Sequence, residues 1–183
     1  GDTFHLVNDR LDRGEILLQE EAAIDENETG ESLRIKCAIK AGVMVKELLD
    51  NLENAVLLPQ KQDEAKASYY PRPNENDAVI DWKNTAQFIH NQIRGLSPWM
   101  KCYTAYKNDF LIIGGSKIVE LNNNEDKPGK ILSKSKRSLV VSTGDPYKAV
   151  EINNLKLYGF LSRLYSSKYI ENIIKIGDFL EEI

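Results

Sequence analysis

Apolar and polar positions alternate on two different rhythms along this chain, and the change of rhythm divides it. Residues 3–8 and 16–24 are short apolar-rich runs on either side of a charged stretch, NDRLDRGE at 8–15, so the start predicts strand, loop, strand. From Thr29 the spacing lengthens. Leu33, Cys37, Ala41, Met44, Leu48 and Leu52 step by 4, 4, 3, 4 and 4, the repeat of one helical face. Thr29 is the predicted cap and Glu31 opposes the helix dipole in the first turn, while Gly42 costs the helix about 1 kcal/mol relative to Ala. Residues 59–79, PQKQDEAKASYYPRPNENDAV, hold three prolines, many polar groups and no period, and predict a linker. The expected organisation is a first domain over 1–58, a linker over 59–79 and a second domain over 80–183.

In the second domain Asn84 or Thr85 caps a short helix with Ile89, Ile93 and Leu96 on one side, closed by Gly95 and Pro98. Then follow CYTAY, a KND turn, FLIIGG, KIVEL, KILSK, SLVVST and AVEINNLKLYG. That many short strands separated by Gly, Asn, Asp and Pro predict a small barrel or sandwich. The closing stretch SSKYIENIIKIGDFLEEI offers a Ser cap and Ile170, Ile173 and Ile174 for a terminal helix, which Gly177 interrupts. No repeat of 20–50 residues is present.

Composition narrows the function classes. With 183 residues and 42% apolar content the chain fills one core or two small ones, and no run approaches the ~18 apolar residues of a membrane span. The opening residues lack the basic start and apolar run of a secretion signal, so a soluble, cytoplasmic protein is expected. Cys37 and Cys102 belong to no C-x-x-C pair and read as reduced thiols. The net charge of −4 conceals a contrast: residues 1–80 hold 9 Lys+Arg against 17 Asp+Glu, and residues 81–183 hold 15 against 11. A positive second half fits a polyanionic partner, although basic nucleic-acid domains are usually far more positive and dispersed solvated charge is the plainer reading.

Four segments in series carry a resemblance. FHLVNDRLDRGEIL, ASYYPRPNENDAVIDW, IRGLSPWMKCYTAY and KPGKIL resemble, in order and spacing, motifs of the methionyl-tRNA and other 10-formyltetrahydrofolate-dependent formyltransferases, over roughly residues 3–160. The resemblance implies an α+β chain: the C-terminal end of a Rossmann-like formyltransferase domain followed by an OB-like β-barrel. It implies 10-formyltetrahydrofolate as formyl donor and, as acceptor, initiator methionyl-tRNA or an amino-sugar attached to a nucleotide. Asp12 matches the family's catalytic aspartate. Val7, Asn8, Asp9, Leu11 and Gly14 fall where the family holds the pterin ring, mostly through main-chain groups. Arg13 departs from the pattern, standing where a small Thr is common.

The resemblance also exposes a gap. An amine attacking a formyl carbon generates an oxyanion that needs aimed donors, while protons pass from the amine to the folate nitrogen. The family draws on an Asn-x-His stretch for this. The two histidines here, His5 and His90, belong to no such stretch and read as structural. The chain by itself is therefore expected to be inactive.

Residue types alone leave plainer alternatives. Asp12 can be an ordinary turn former in Asp-Arg-Gly. His5, Asp9, Asp12 and Glu15 have no familiar metal-ligand spacing, and no metal is expected. Lys130, Lys134, Lys136 and Arg137 form a basic hairpin suited to phosphates, or a solvated tip, since no aromatic residues interleave. Trp82 and Trp99 are expected to seat the linker and helix on the barrel. A non-catalytic module binding RNA or protein is the competing reading.

Overall fold

The computed structural model describes residues 1–123, 125–159 and 173–181, and divides the chain into two compact units, Gly1–Arg72 and Pro73–Ile183.

Unit 1 starts with strands β1 (Asp2–His5) and β2 (Ile16–Glu20), paired antiparallel with Phe4 opposite Leu18, and continues into helix α1 (Gly30–Glu53). The helix starts at Thr29 because a reciprocal cap forms there. Thr29 Oγ1 accepts from the Ser32 amide at 3.1 Å, and Ser32 Oγ accepts from the Thr29 amide at 3.0 Å. Two lysines fasten the segment between hairpin and helix: Lys36 Nζ donates to the Ala23 carbonyl at 2.7 Å, and Lys40 Nζ lies 2.8 Å from a Glu20 carboxylate oxygen. The predicted apolar face is the inner one from Leu33 to Leu48, with Met44 buried; Leu52 departs from it and is exposed.

The stretch 59–79 is shared between the units. Gln60 exchanges backbone hydrogen bonds of 2.8 Å with Ile16, whereas Asn74 caps a 3-10 turn over Glu75–Ala78 and Ala78 is buried.

In unit 2, helix α2 (Ala86–Leu96) is capped by Thr85, whose hydroxyl accepts from the Phe88 amide. Gly95 lies inside the helix instead of closing it. Ser97 leaves helical space just ahead of Pro98, as the residue before a proline is biased to do. The strands are β3 (Cys102–Tyr106), β4 (Asp109–Ile113), β5 (Gly115–Glu120), β6 (Ile131–Lys134), β7 (Ser138–Ser142), β8 (Lys148–Asn153) and β9 (Lys156–Tyr158). Each falls in a run predicted from the sequence. They form two antiparallel sheets, ordered β3-β4-β9 and β5-β8-β7-β6. Chain architecture is thus mixed α and β, but among the described residues no ladder closes these sheets into a barrel.

What joins the sheets is the C-terminal segment. Ala105 and Glu181 exchange two backbone hydrogen bonds of 3.0 Å, while Gly129 accepts from Leu180 at 2.8 Å and Ile131 donates to Asp178 at 2.9 Å. One strand-like stretch thereby pairs with an edge of each sheet. Beneath it, Thr104 is fully buried and links the two levels: its hydroxyl accepts from Trp82 Nε1 at 3.0 Å and donates to the Glu181 carbonyl at 2.8 Å. The core holds Ile80, Ile89, Leu111, Val141, Val150 and Ile152, with α2 covering β5 and β8. Trp82 is part of this core; Trp99, expected to seat a segment, is 62% exposed. The predicted terminal helix falls largely on residues 160–172, outside the described residues. No described helix is long and apolar enough to cross a membrane.

Asp178 titrates below its ordinary value, chiefly because the Tyr106 hydroxyl, 2.6 Å away, donates to it. A depressed value in the folded state gives stability that is complete above the unfolded value of about 4 and lost as pH falls through the lower folded value. Tyr106→Phe should therefore cost about 1–2 kcal/mol at neutral pH and flatten the acid-side loss of stability. Urea denaturation at a series of pH values from neutrality to below about 4 checks both.

Candidate functional site: the Asp12 loop

Between β1 and β2 the chain makes a ten-residue excursion, Leu6 to Glu15, whose ends are held together by the Leu6 amide donating to the Glu15 carbonyl at 2.9 Å. Within it, Asn8 Oδ1 accepts from the Arg10 amide at 2.9 Å, an Asx turn that sets the first bend. Asp12 takes the left-handed conformation, φ 56°, at the second. Aspartate is among the few side chains that tolerate this region, and the loop uses it at the residue singled out from the sequence. Its side chain is 81% exposed, so the carboxylate points to open space.

Gly14 is required by crowding. It is buried, and a Cβ there would overlap the Leu6 carbonyl oxygen. Arg13, the departure from the expected small residue, turns its guanidinium onto the Glu64 carboxylate. Its charge is thus paired beside the site. Val7 and Leu11 are 93% and 88% exposed, and Asn8 and Asp9 are exposed with them, so the stretch from Val7 to Leu11 faces solvent.

Two partners of this loop were not legible in the sequence. Gln62 Nε2 donates to the carbonyls of Asp12, at 3.0 Å, and Gly14, at 2.6 Å, across a separation of 50 and 48 residues. It comes from the stretch read as linker. His5 is the other. Its Nδ1 lies 2.8 Å from the Leu6 carbonyl, which can only accept, so Nδ1 carries the hydrogen. That fixes the ring with Nε2 toward Asp12 Oδ1 at 3.8 Å, longer than a hydrogen bond.

The basic hairpin divides. Lys130 pairs with Asp126 and Lys134 Nζ donates to the Ile174 carbonyl at 2.9 Å, so both are engaged in the fold, while Lys136 and Arg137 stand exposed at the tip. His90 is buried in α2 with Nδ1 2.9 Å from Ser116 Oγ. Among the described residues no three His, Cys, Asp or Glu side chains gather where they would hold a metal ion. Cys102, the buried thiol, is pushed up to about 12 by desolvation and is not a nucleophile at neutral pH.

Known proteins resemble this chain in sequence and in fold. Residues 73–159 match the family model described as formyl transferase, C-terminal domain. Methionyl-tRNA formyltransferase of Caldanaerobacter subterraneus subsp. tengcongensis is 39% identical over 145 residues, covering 79% of this chain and 46% of its own length. The chain belongs to the formyltransferase family. A second relative, methionyl-tRNA formyltransferase of Clostridium perfringens strain 13, is 31% identical over 183 residues, 99% of this chain and 58% of the relative. The chain thus spans about half the length of the curated relatives it matches. Among solved formyltransferases, the N-formyltransferase from Helicobacter canadensis, in complex with folinic acid and dTDP-3-aminofucose, superposes with a TM-score of 0.63 at 22% identity, covering 82% of this chain and 54% of that one. HypX from Aquifex aeolicus in complex with tetrahydrofolic acid gives 0.59 at 14% identity, over 97% and 33% of the two chains. At these identities the structural likeness is one of fold.

The Asp12 loop is held at two points, by Gly14 against Leu6 and by Gln62 on the Asp12 and Gly14 carbonyls. Gly14→Ala should force the loop apart and destabilise unit 1 by about 1–3 kcal/mol, and Gln62→Ala should loosen the loop without unfolding it. Amide hydrogen exchange at Leu6, faster in both variants, reads the change.

Proposed function

We propose that this chain carries part of a folate-dependent formyltransferase that moves a formyl group from 10-formyltetrahydrofolate to the amine of methionyl-tRNA. The observation that carries the reading is the Asp12 loop: an exposed carboxylate at a left-handed position, two residues before a glycine that admits no side chain, on a hairpin of a formyltransferase-family chain. The donor supplies an activated formyl carbon. Val7, Asn8, Asp9, Leu11 and Gly14 would hold its pterin ring, a reading supported by the exposure of Val7, Asn8, Asp9 and Leu11, with the buried Gly14 shaping the loop behind them. Asp12 would orient a proton-carrying partner or hold a water that shuttles the proton, and His5, fixed 3.8 Å away, is the nearest ring nitrogen for such a relay.

For unit 2 the OB-like reading rests on the run of short antiparallel strands with one covering helix, tied through the C-terminal segment. Its exposed Lys136 and Arg137 would neutralise phosphates of the tRNA. The nucleotide-linked amino-sugar remains the second acceptor, favoured by the engagement of Lys130 and Lys134 within the fold, which leaves only part of the predicted basic cluster for a polyanion.

Two outcomes test this. The purified 183-residue chain with 10-formyltetrahydrofolate and methionyl-tRNA should show no formyl transfer above background, measured by acid-precipitable labelled formyl; turnover would contradict the division of the site. Filter binding of tRNA across a salt series should give a falling affinity whose logarithmic slope shrinks by roughly 1–2 in the Lys136→Ala, Arg137→Ala variant. Salt-insensitive or absent binding removes the tRNA reading and leaves the amino-sugar one.

A further inference from the structure

From Leu58 to Arg72 every residue but Gln62 is exposed. Contacts nevertheless tie this stretch to the Asp12 loop, and they recur at every second residue, as along a strand. Gln60 exchanges backbone hydrogen bonds of 2.8 Å with Ile16, the Gln62 side-chain amide meets the carbonyls of Gly14 and Asp12, and the Glu64 carboxylate takes the Arg13 guanidinium. The partners step back through Ile16, Gly14 and Arg13, so residues 60–64 run antiparallel along the returning limb of the loop. Asp63 then caps a 3-10 turn over Glu64–Lys66, accepting from the Ala65 amide at 3.1 Å, and the strand-like run ends there.

Gln62 stands where a strand would offer a backbone amide. The β1–β2 ladder ends at the pair His5 and Ile16, and the carbonyls of Asp12 and Gly14 lie beyond it. Carbonyls only accept, so the group facing them is the Gln62 NH2, which has two hydrogens and two acceptors to use them on. Turn chemistry inside the loop gives it its shape; this amide fixes where that shape sits. A held Asp12 carbonyl sets the rotation of the Asp12–Arg13 peptide, and with φ at 56° that orients the Cα–Cβ bond from which the carboxylate projects. The carboxylate reaches to within 3.8 Å of His5 Nε2.

We propose that Gln62 is a positioning residue for formyl transfer: its amide, braced by the Gln60 and Glu64 contacts on either side, holds the Asp12 carboxylate at one place beside the His5 ring. Gln62 acts through Asp12 and not on the reacting atoms. With 81% of its side chain exposed, Asp12 has little packing to hold it, so the backbone beneath it must. An angular error at the base of a side chain becomes a displacement at its tip, and about 1 Å at a reacting group is enough for a hundredfold loss of rate. The role also accounts for the burial pattern, because the side chain drawn in from an otherwise exposed stretch is the one that reaches this loop. The inference rests on the formyltransferase reading, which gives Asp12 its task, and is independent of the acceptor.

In NMR spectra of the 183-residue chain, an Overhauser contact between the Asp12 Hβ protons and the His5 ring should be present. Gln62→Glu keeps the size of the side chain and replaces its two donors by acceptors, so the contact should be lost; Gln62→Lys, whose ammonium again donates to both carbonyls, should restore it. The Thr29 and Ser32 amides of the α1 cap should keep their shifts in every variant, which separates lost position from lost fold. Gln62→Met, without donors and without charge, takes the place of the glutamate variant if that one unfolds the hairpin. Fused behind the unmatched two-fifths of the Clostridium perfringens relative, the glutamate and methionine variants should lower kcat by about ten- to a hundredfold, with the KM for 10-formyltetrahydrofolate changed less than about twofold and most of the rate recovered in Gln62→Lys. An Asp12–His5 contact that survives Gln62→Glu and Gln62→Met, a loss that Gln62→Lys does not repair, or a fusion whose turnover ignores Gln62 would each overturn the proposal. A fusion that transfers no formyl group counts against the proposed function instead, and the Overhauser contact then decides the positioning alone.

Discussion

Apolar surface has to be covered by something, and the two units of this chain meet that requirement in opposite ways. Unit 2 covers its own: Ile80, Trp82, Ile89, Leu111, Val141, Val150 and Ile152 close around one another, with α2 as the lid over β5 and β8. Unit 1 rests one side of α1 on its hairpin and leaves Ile35, Ile39, Val43 and Leu49 of the helix exposed. Burial is the largest favourable contribution to folding, so a unit with Met44 as its one buried large side chain depends on polar fastenings instead. The Thr29 cap and the Lys36 and Lys40 ties fill that role, and the Asp12 loop hangs on the hairpin they secure.

That dependence sets what the loop can do. Its geometry is fixed by short-range devices, the Asx turn at Asn8, the left-handed Asp12 and the side-chain-free Gly14, none of which needs a core. A carboxylate held this way is well placed in space, yet its chemical value lies in what faces it, because a preorganised donor acts strongly only where water is excluded. With 81% of its side chain exposed, Asp12 is positioned but not enclosed. Placement and enclosure are separable properties of a carboxylate, and this loop supplies the first.

The same distinction explains which features were legible in the sequence. Strand and helix positions, the Thr29 and Thr85 caps, and the Asp-Arg-Gly loop are written in neighbouring residues, where period and turn chemistry act over a few positions. Gln62, the Glu64 partner of Arg13 and the anchors of Lys130 and Lys134 were missed because each depends on a contact whose other half no local pattern announces. The stretch 59–79 looked like linker for the same reason. It lacks a period because single side chains and isolated backbone pairs, at Gln60, Gln62 and Ala78, do the anchoring. The division of the strands into two sheets was not legible either, because strand propensity carries no information about which edges meet.

The segment that spans those edges also bears on the order of events in folding. Thr104 and Glu181 are 77 residues apart in sequence, so their hydrogen bond closes a long loop whose entropy must be met before any return. In the sheets it joins, β3 with β4, β6 with β7 and β7 with β8 are hairpins of short range, whereas β4 with β9 and β5 with β8 pair strands from distant parts of unit 2. The contacts at Glu181 therefore close a longer loop than any strand pair of the two sheets, and the closure entropy they carry is the largest among them.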